Sequence, residues 1–150
     1  CADSKIFECY VKSQGQQYVK APGEDFKSVL RGITGWKGRI HMEFGTPLNG
    51  FIRKLAAEDL DFNGRTMKIA EEIDRQIHCM YNLCSFNYIA FDRLNDSLQH
   101  SGLYYSEEDI RRFETYATEV ISRLDGDIAA LEALFVRMYA YPLINKQQYV

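Results

Sequence analysis

Residues 35–48 read GWKGRIHMEFGTPL, Gly35 to Leu48, and the fold class turns on how this stretch is read. Ile40, Met42 and Phe44 alternate with Arg39, His41 and Glu43. A period of two puts the apolar side chains on one side of an extended chain and the polar ones on the other. Gly45 ends the run, and Pro47 cannot donate to a sheet ladder. The spacing predicts a strand over residues 39–45. One strand is not stable alone, so it calls for neighbours, and the rest of the chain offers few.

On the N-terminal side, APGEDFKSVLRGITGW carries a clear helical signal. Pro22-Gly23 marks a turn, and Glu24 and Asp25 suit the positive end of a helix dipole. Phe26, Val29, Leu30 and Ile33 then recur at i, i+3, i+4 and i+7. Gly32 and Gly35 weaken the last turn, so the helix is expected to end there. Residues 4–20 mix apolar and polar positions around SQGQQ, and their period fits either a helix followed by an extended segment or a loose hairpin.

On the C-terminal side the pattern is helical from Asn63 onward. Ala70, Ile73, Ile77, Met80 and Cys84 form one stripe; Phe86, Ile89, Ala90 and Leu94 form the inward face of a second helix. HSGLYY reads as a loop, and Ser106 with Asp109 makes an approximate capping box. Ile110, Phe113, Ala117, Val120 and Leu124 share a face, which Ile128, Leu131, Leu134, Phe135 and Met138 extend. Gly126 marks a kink or a helix–helix turn, and Pro142 is expected to close the segment. The resulting expectation is an α+β chain, predominantly helical, whose helices pack around the 39–45 strand, which completes a sheet. Residues 1–60 form the sheet-edge segment and 61–150 the helical part, in one compact unit.

Composition narrows the function. The chain has 150 residues, 46% hydrophobic and 26% charged, with a net charge of -3. That is a globular composition and gives no support for nucleic acid as a partner. No run of about 18 apolar residues is present to span a bilayer, and no secretory leader pattern is seen. The chain begins at Cys1, which suggests a processed protein or an excised portion of a longer one. Four cysteines stand at 1, 9, 79 and 84; the Cys79/Cys84 spacing fits neither a C-x-x-C pair nor a zinc knuckle, and reduced thiols are expected.

Candidate constellations are few. His41 between Arg39 and Glu43 could serve as a base, but no Ser or Cys nucleophile lies nearby in sequence, so a polar strand face is the simpler reading. Asp74 and His78 stand i, i+4 and could pair or share a metal; H-E-x-x-H and E-x-x-H are absent, which favours an ion pair. Lys20 to Arg39 carries five basic residues against two acidic ones. Lys27, Arg31, Trp36 and Lys37 are therefore candidates for contact with an anionic membrane surface. Gly-rich phosphate loops and G-x-S-x-G are missing. No catalytic residue, metal ligand or cofactor site is assigned.

Gly38, Arg39, Ile40, Phe44, Gly45, Pro47 and Leu48 match the form G-R-hydrophobic-x-x-x-F-G-x-P-hydrophobic. It resembles a strand of the glycerolipid (lysophospholipid) acyltransferase superfamily that follows the catalytic motifs. AEEIDRQIHCMYNLCSFNYIAFD (Ala70 to Asp92) and LEALFVRMYAYPLINK (Leu131 to Lys146) are similar to a Bacteroides-type bacterial branch. That branch is labelled both hemolysin-like and 1-acylglycerol-3-phosphate acyltransferase. The resemblance runs from about Lys20 onward and implies phospholipid synthesis, in the cytoplasm or peripherally on the inner face of the cytoplasmic membrane.

The superfamily's H-x-x-x-x-D is absent, because Thr46, Leu83 and Tyr105 stand five residues after the three histidines. So is its E-G-T/S segment. The resemblance therefore implies a C-terminal, non-catalytic portion whose partner is the upstream catalytic part of the same polypeptide. A stand-alone helical interaction domain, or a membrane-surface adaptor without enzymatic activity, is the other expectation.

Overall fold

The computed structural model describes residues 2–35 and 40–149. These residues form seven helices: α1 (Ala2–Ser13), α2 (Glu24–Thr34), α3 (Asn49–Ala56), α4 (Phe62–Met80), α5 (Ser85–Leu94), α6 (Glu107–Ile121) and α7 (Ile128–Gln147). No strand occurs among them, and the one β-type pairing is an isolated bridge between Ser101 and Tyr105.

The α+β expectation is thus overturned: the fold is all-helical. Residues 40–45 have no regular secondary structure, and Arg39 lies outside the described residues. The alternation there is real in sequence but has no partner strand to pair with. Ile40, Met42 and Phe44 are 73%, 75% and 86% exposed, so no sheet face covers them. Period two defines a strand only when a neighbour supplies the ladder.

The chain divides into two compact units: Cys1–Arg39 with Leu83–Leu143, and Ile40–Asn82 with Ile144–Val150. The divisions fall at 39/40, 82/83 and 143/144, whereas the sequence reading drew its boundary at 60/61.

The first unit holds most of the buried apolar side chains. Phe113 of α6 is fully buried and meets Phe86 of α5 at 5.2 Å and Phe135 of α7 at 5.3 Å between ring centroids, both edge-on. Edge-to-face contacts suit the ring quadrupoles and add to the burial. Ile89, Ala90, Val120, Leu131 and Ala140 complete this core, and Ile6 of α1 is buried in the same unit.

Buried Asn87 ties α5 to α7: its side-chain amide donates to the Tyr139 carbonyl (2.8 Å), while its oxygen accepts from the Cys84 N–H at the head of α5 (2.9 Å). The expected box at α6 is present. The Ser106 N–H donates to the Asp109 carboxylate (3.0 Å), and the Asp109 N–H donates to the Ser106 hydroxyl (3.3 Å). Gly126 lies in the turn between α6 and α7, so the helices are separate. A β-carbon there would fall 2.7 Å from the Tyr10 ring, and the Asp127 N–H donates to the Tyr10 hydroxyl (3.0 Å). Pro142 does not close the last helix but sits inside it, five residues before its end. The cost is one backbone hydrogen bond, since proline has no N–H to offer the Met138 carbonyl.

The α5–α6 connection is organised by a buried carboxylate. Asp92 is 1% exposed and accepts from four groups. These are the His100 Nδ1 (2.7 Å), the His100 N–H (3.0 Å), the Tyr105 hydroxyl (2.8 Å) and the Ser97 hydroxyl (3.1 Å). Burial pushes the Asp92 pKa up, but the hydrogen bonds, those from His100 first, outweigh it and hold the carboxyl below its ordinary value. His100 is itself enclosed by the rings of Tyr88, Phe91 and Tyr104.

The second unit is different in kind. Leu55 is its one buried apolar residue among those described, and α4, nineteen residues long, buries none. Asp61 caps α4 by accepting from the Gly64 N–H (2.7 Å). Cys9, Cys79 and Cys84 are free thiols.

Asp92→Ala leaves three side-chain donors without their acceptor and is expected to destabilise the protein by about 2–3 kcal/mol in equilibrium denaturation. A depressed carboxyl pKa contributes stability that is full above its unfolded value and is lost as the pH falls through the folded value. The gap between wild type and Asp92→Asn should therefore narrow below about pH 4; a gap independent of pH would contradict this role.

Candidate functional site

Three places carry chemistry, and the first is α2. Phe26, Val29, Leu30 and Ile33 share one face, as the sequence implied, but that face is not packed: they are 71%, 59%, 46% and 72% exposed, and no residue of α2 is buried. Of the four membrane candidates, Lys27 is exposed on the flank of this face and makes no ion pair among the described residues. Arg31 is engaged, its guanidinium lying 2.9 Å from the Asp3 carboxylate of α1. Lys20 is likewise paired, with Asp25 at 2.7 Å. Trp36 and Lys37 lie outside the described residues.

The second place comprises the histidines singled out from sequence. His41 Nε2 lies 3.0 Å from Glu43, both side chains being nearly half exposed, as i, i+2 neighbours on one side of an extended segment. Asp74 and His78 are not brought together as an ion pair. The His78 ring instead stacks on Tyr149 (centroids 5.2 Å apart) and meets Tyr81 edge-on. Its Nε2 lies 3.5 Å from the Asn145 amide, and its Nδ1 is buried without a hydrogen-bond partner among the described residues. An aromatic neighbour captures the imidazole where the i, i+4 rule offered a carboxylate. No group of three or more His, Cys, Asp or Glu able to hold a metal occurs among the described residues.

The third place was not singled out from sequence. A cleft of about 810 Å³ opens in the first unit. Phe86, Tyr116 and Tyr139 line its floor, and Arg111, Arg112 and Thr115 of α6 form its wall. The Phe86 and Tyr116 rings are 6.0 Å apart and tilted by 30°; Tyr139 stands nearly perpendicular to both. Burial, and then a hydrogen bond with Tyr116, push the Tyr139 hydroxyl far above its ordinary pKa, so it stays protonated.

Glu108 and Glu119 complete the rim. Glu108 is paired with Arg111 (2.9 Å) and Glu119 with Arg123. Arg112 makes no ion pair among the described residues. The signal available in sequence was two adjacent arginines one helical turn before a tyrosine.

No family model matches the chain, and no curated protein or solved structure matches it. Among the described residues, no helix is long and apolar enough to cross a membrane.

Local stability rises with buried apolar contact, so the two units should differ in hydrogen exchange. Amides of α4 are expected to exchange at times when α6 and residues 128–143 remain protected. Equal protection across both would contradict the burial pattern.

Proposed function

We propose that this chain is the non-catalytic, C-terminal portion of an acyltransferase. The parent enzyme transfers acyl groups to a lysophospholipid or glycerol-phosphate acceptor in phospholipid synthesis, and its catalytic part is carried upstream on the same polypeptide. One observation carries the reading. Apolar side chains that a finished domain would cover stand in water on α2 (Phe26, Val29, Ile33), on residues 40–44 and on Phe62 and Met67 of α4. Exposed apolar surface on this scale marks a contact with something else. The likeness of Gly38–Leu48, Ala70–Asp92 and Leu131–Lys146 to acyltransferase segments supports the upstream polypeptide as that contact, and the missing H-x-x-x-x-D is in keeping with chemistry carried there.

The chain alone is expected to give no acyl transfer from an acyl thioester to a lysophospholipid. Joined to the polypeptide encoded upstream, it should show new hydrogen-exchange protection in α2 and residues 40–82. Robust turnover by the chain alone, or unchanged exchange in the joined protein, would sink the proposal.

A second reading is favoured by α2 itself, an adaptor lying on an anionic membrane surface. Its exposed apolar face, with Lys27 at the flank making no ion pair among the described residues, is the arrangement of an interfacial helix. A lysine near an anionic surface contributes about 1 kcal/mol, so Lys27→Gln should weaken partitioning into phosphatidylserine vesicles roughly fivefold. Co-sedimentation indifferent to both anionic lipid and salt would count against it.

A further inference from the structure

We propose that the cleft between α5, α6 and α7 binds a nucleotide, with the heterocycle against Phe86, Tyr116 and Tyr139 and the phosphate at Arg112. This goes beyond the acyltransferase reading and does not depend on it, since the cleft lies wholly in the first unit.

Charge comes first. The two rim carboxylates are already neutralised, Glu108 by Arg111 and Glu119 by Arg123. Arg112 makes no ion pair among the described residues, although its charge is felt by the Asp109 carboxylate, and the Thr115 hydroxyl lines the cleft one turn on. An arginine fork matches a phosphate in geometry as well as charge. Of the lining cations, Arg112 is the one without an ion pair among the described residues, so that end best suits the anionic group of a ligand.

The floor decides what is attached to the anion. Three aromatic side chains line one small concavity, and two of them lie within 30° of parallel. Ring faces of this kind accept a flat heterocycle by stacking, with gains that do not depend on base identity. The Tyr116 and Tyr139 hydroxyls and the outer oxygens of Glu108 and Glu119 can meet the hydroxyl and amino groups of a nucleoside. The volume of about 810 Å³ falls within the range of small-ligand sites, roughly 300–1,000 Å³.

The test uses the full chain and three probes: AMP, adenosine and inorganic phosphate. Titrations followed by NMR are expected to shift the signals of Arg112, Thr115, Tyr116 and Tyr139 with AMP. Adenosine should bind the same residues about tenfold more weakly, and phosphate alone more weakly still. Arg112 is exposed, so Arg112→Gln should fold normally; it should lose about tenfold in AMP affinity while leaving adenosine unchanged. AMP that shifts none of these residues, phosphate that binds as well as AMP, or an Arg112→Gln chain that binds AMP normally would each overturn the proposal.

Discussion

The packing of the Phe113 ring is the contact on which the ordered part of this protein depends. It sits on α6 with no exposed surface and touches α5 through Phe86 and α7 through Phe135 and, at 6.1 Å, Tyr139. Arg93 closes the remaining side, its guanidinium 5.3 Å from the ring centre, where a cation is attracted by the π face. Three helices are thereby fixed by one side chain. The cleft depends on this: Phe86 and Tyr139, two of its three aromatic lining residues, are both held against Phe113.

Around that centre the molecule uses polar burial to fix what apolar burial leaves free. Asn87 ties α5 to α7, and Asp92 gathers His100, Tyr105 and Ser97 so that the α5–α6 connection has one conformation. A buried carboxylate with four donors is costly to strip and specific in what it accepts. Nothing comparable occurs in the second unit, where Leu55 alone is buried among the described apolar residues. The contrast in burial, rather than any catalytic geometry, is what distinguishes the two units.

Much of the helical framework was legible from periodicity. The α2, α5, α6 and α7 helices follow from their i, i+3, i+4 patterns, although Leu94, expected inward, and Ile128, expected on the shared α6–α7 face, are exposed, and the Ser106–Asp109 box starts α6 as its residues imply. What failed did so for identifiable reasons. The Ile40–Phe44 alternation carries no information about whether a second strand exists to receive it. Pro142 has the weight of a helix stop, yet one lost hydrogen bond is outweighed when Ala140 and Leu143 on either side are buried. The Asp92–His100 contact joins residues eight apart across a loop, a distance with no periodic signature. Similarly, Arg111, Arg112 and Tyr116 carry no joint signal until Phe86 and Tyr139, distant in sequence, are placed beside them. For α2 the helix was legible, but whether its apolar face is covered is a tertiary fact.

Gly126 has a consequence in time as well as in space. The Tyr10 ring occupies the room its missing β-carbon leaves, and the Tyr10 hydroxyl accepts from Asp127, a contact across 117 residues of chain. Closing so long a loop costs entropy before any contact repays it. The α6–α7 turn that Tyr10 lands on is local and can form without it. The N-terminal helix, with Ile6 on it, is therefore expected to dock late, onto a turn that can form without it.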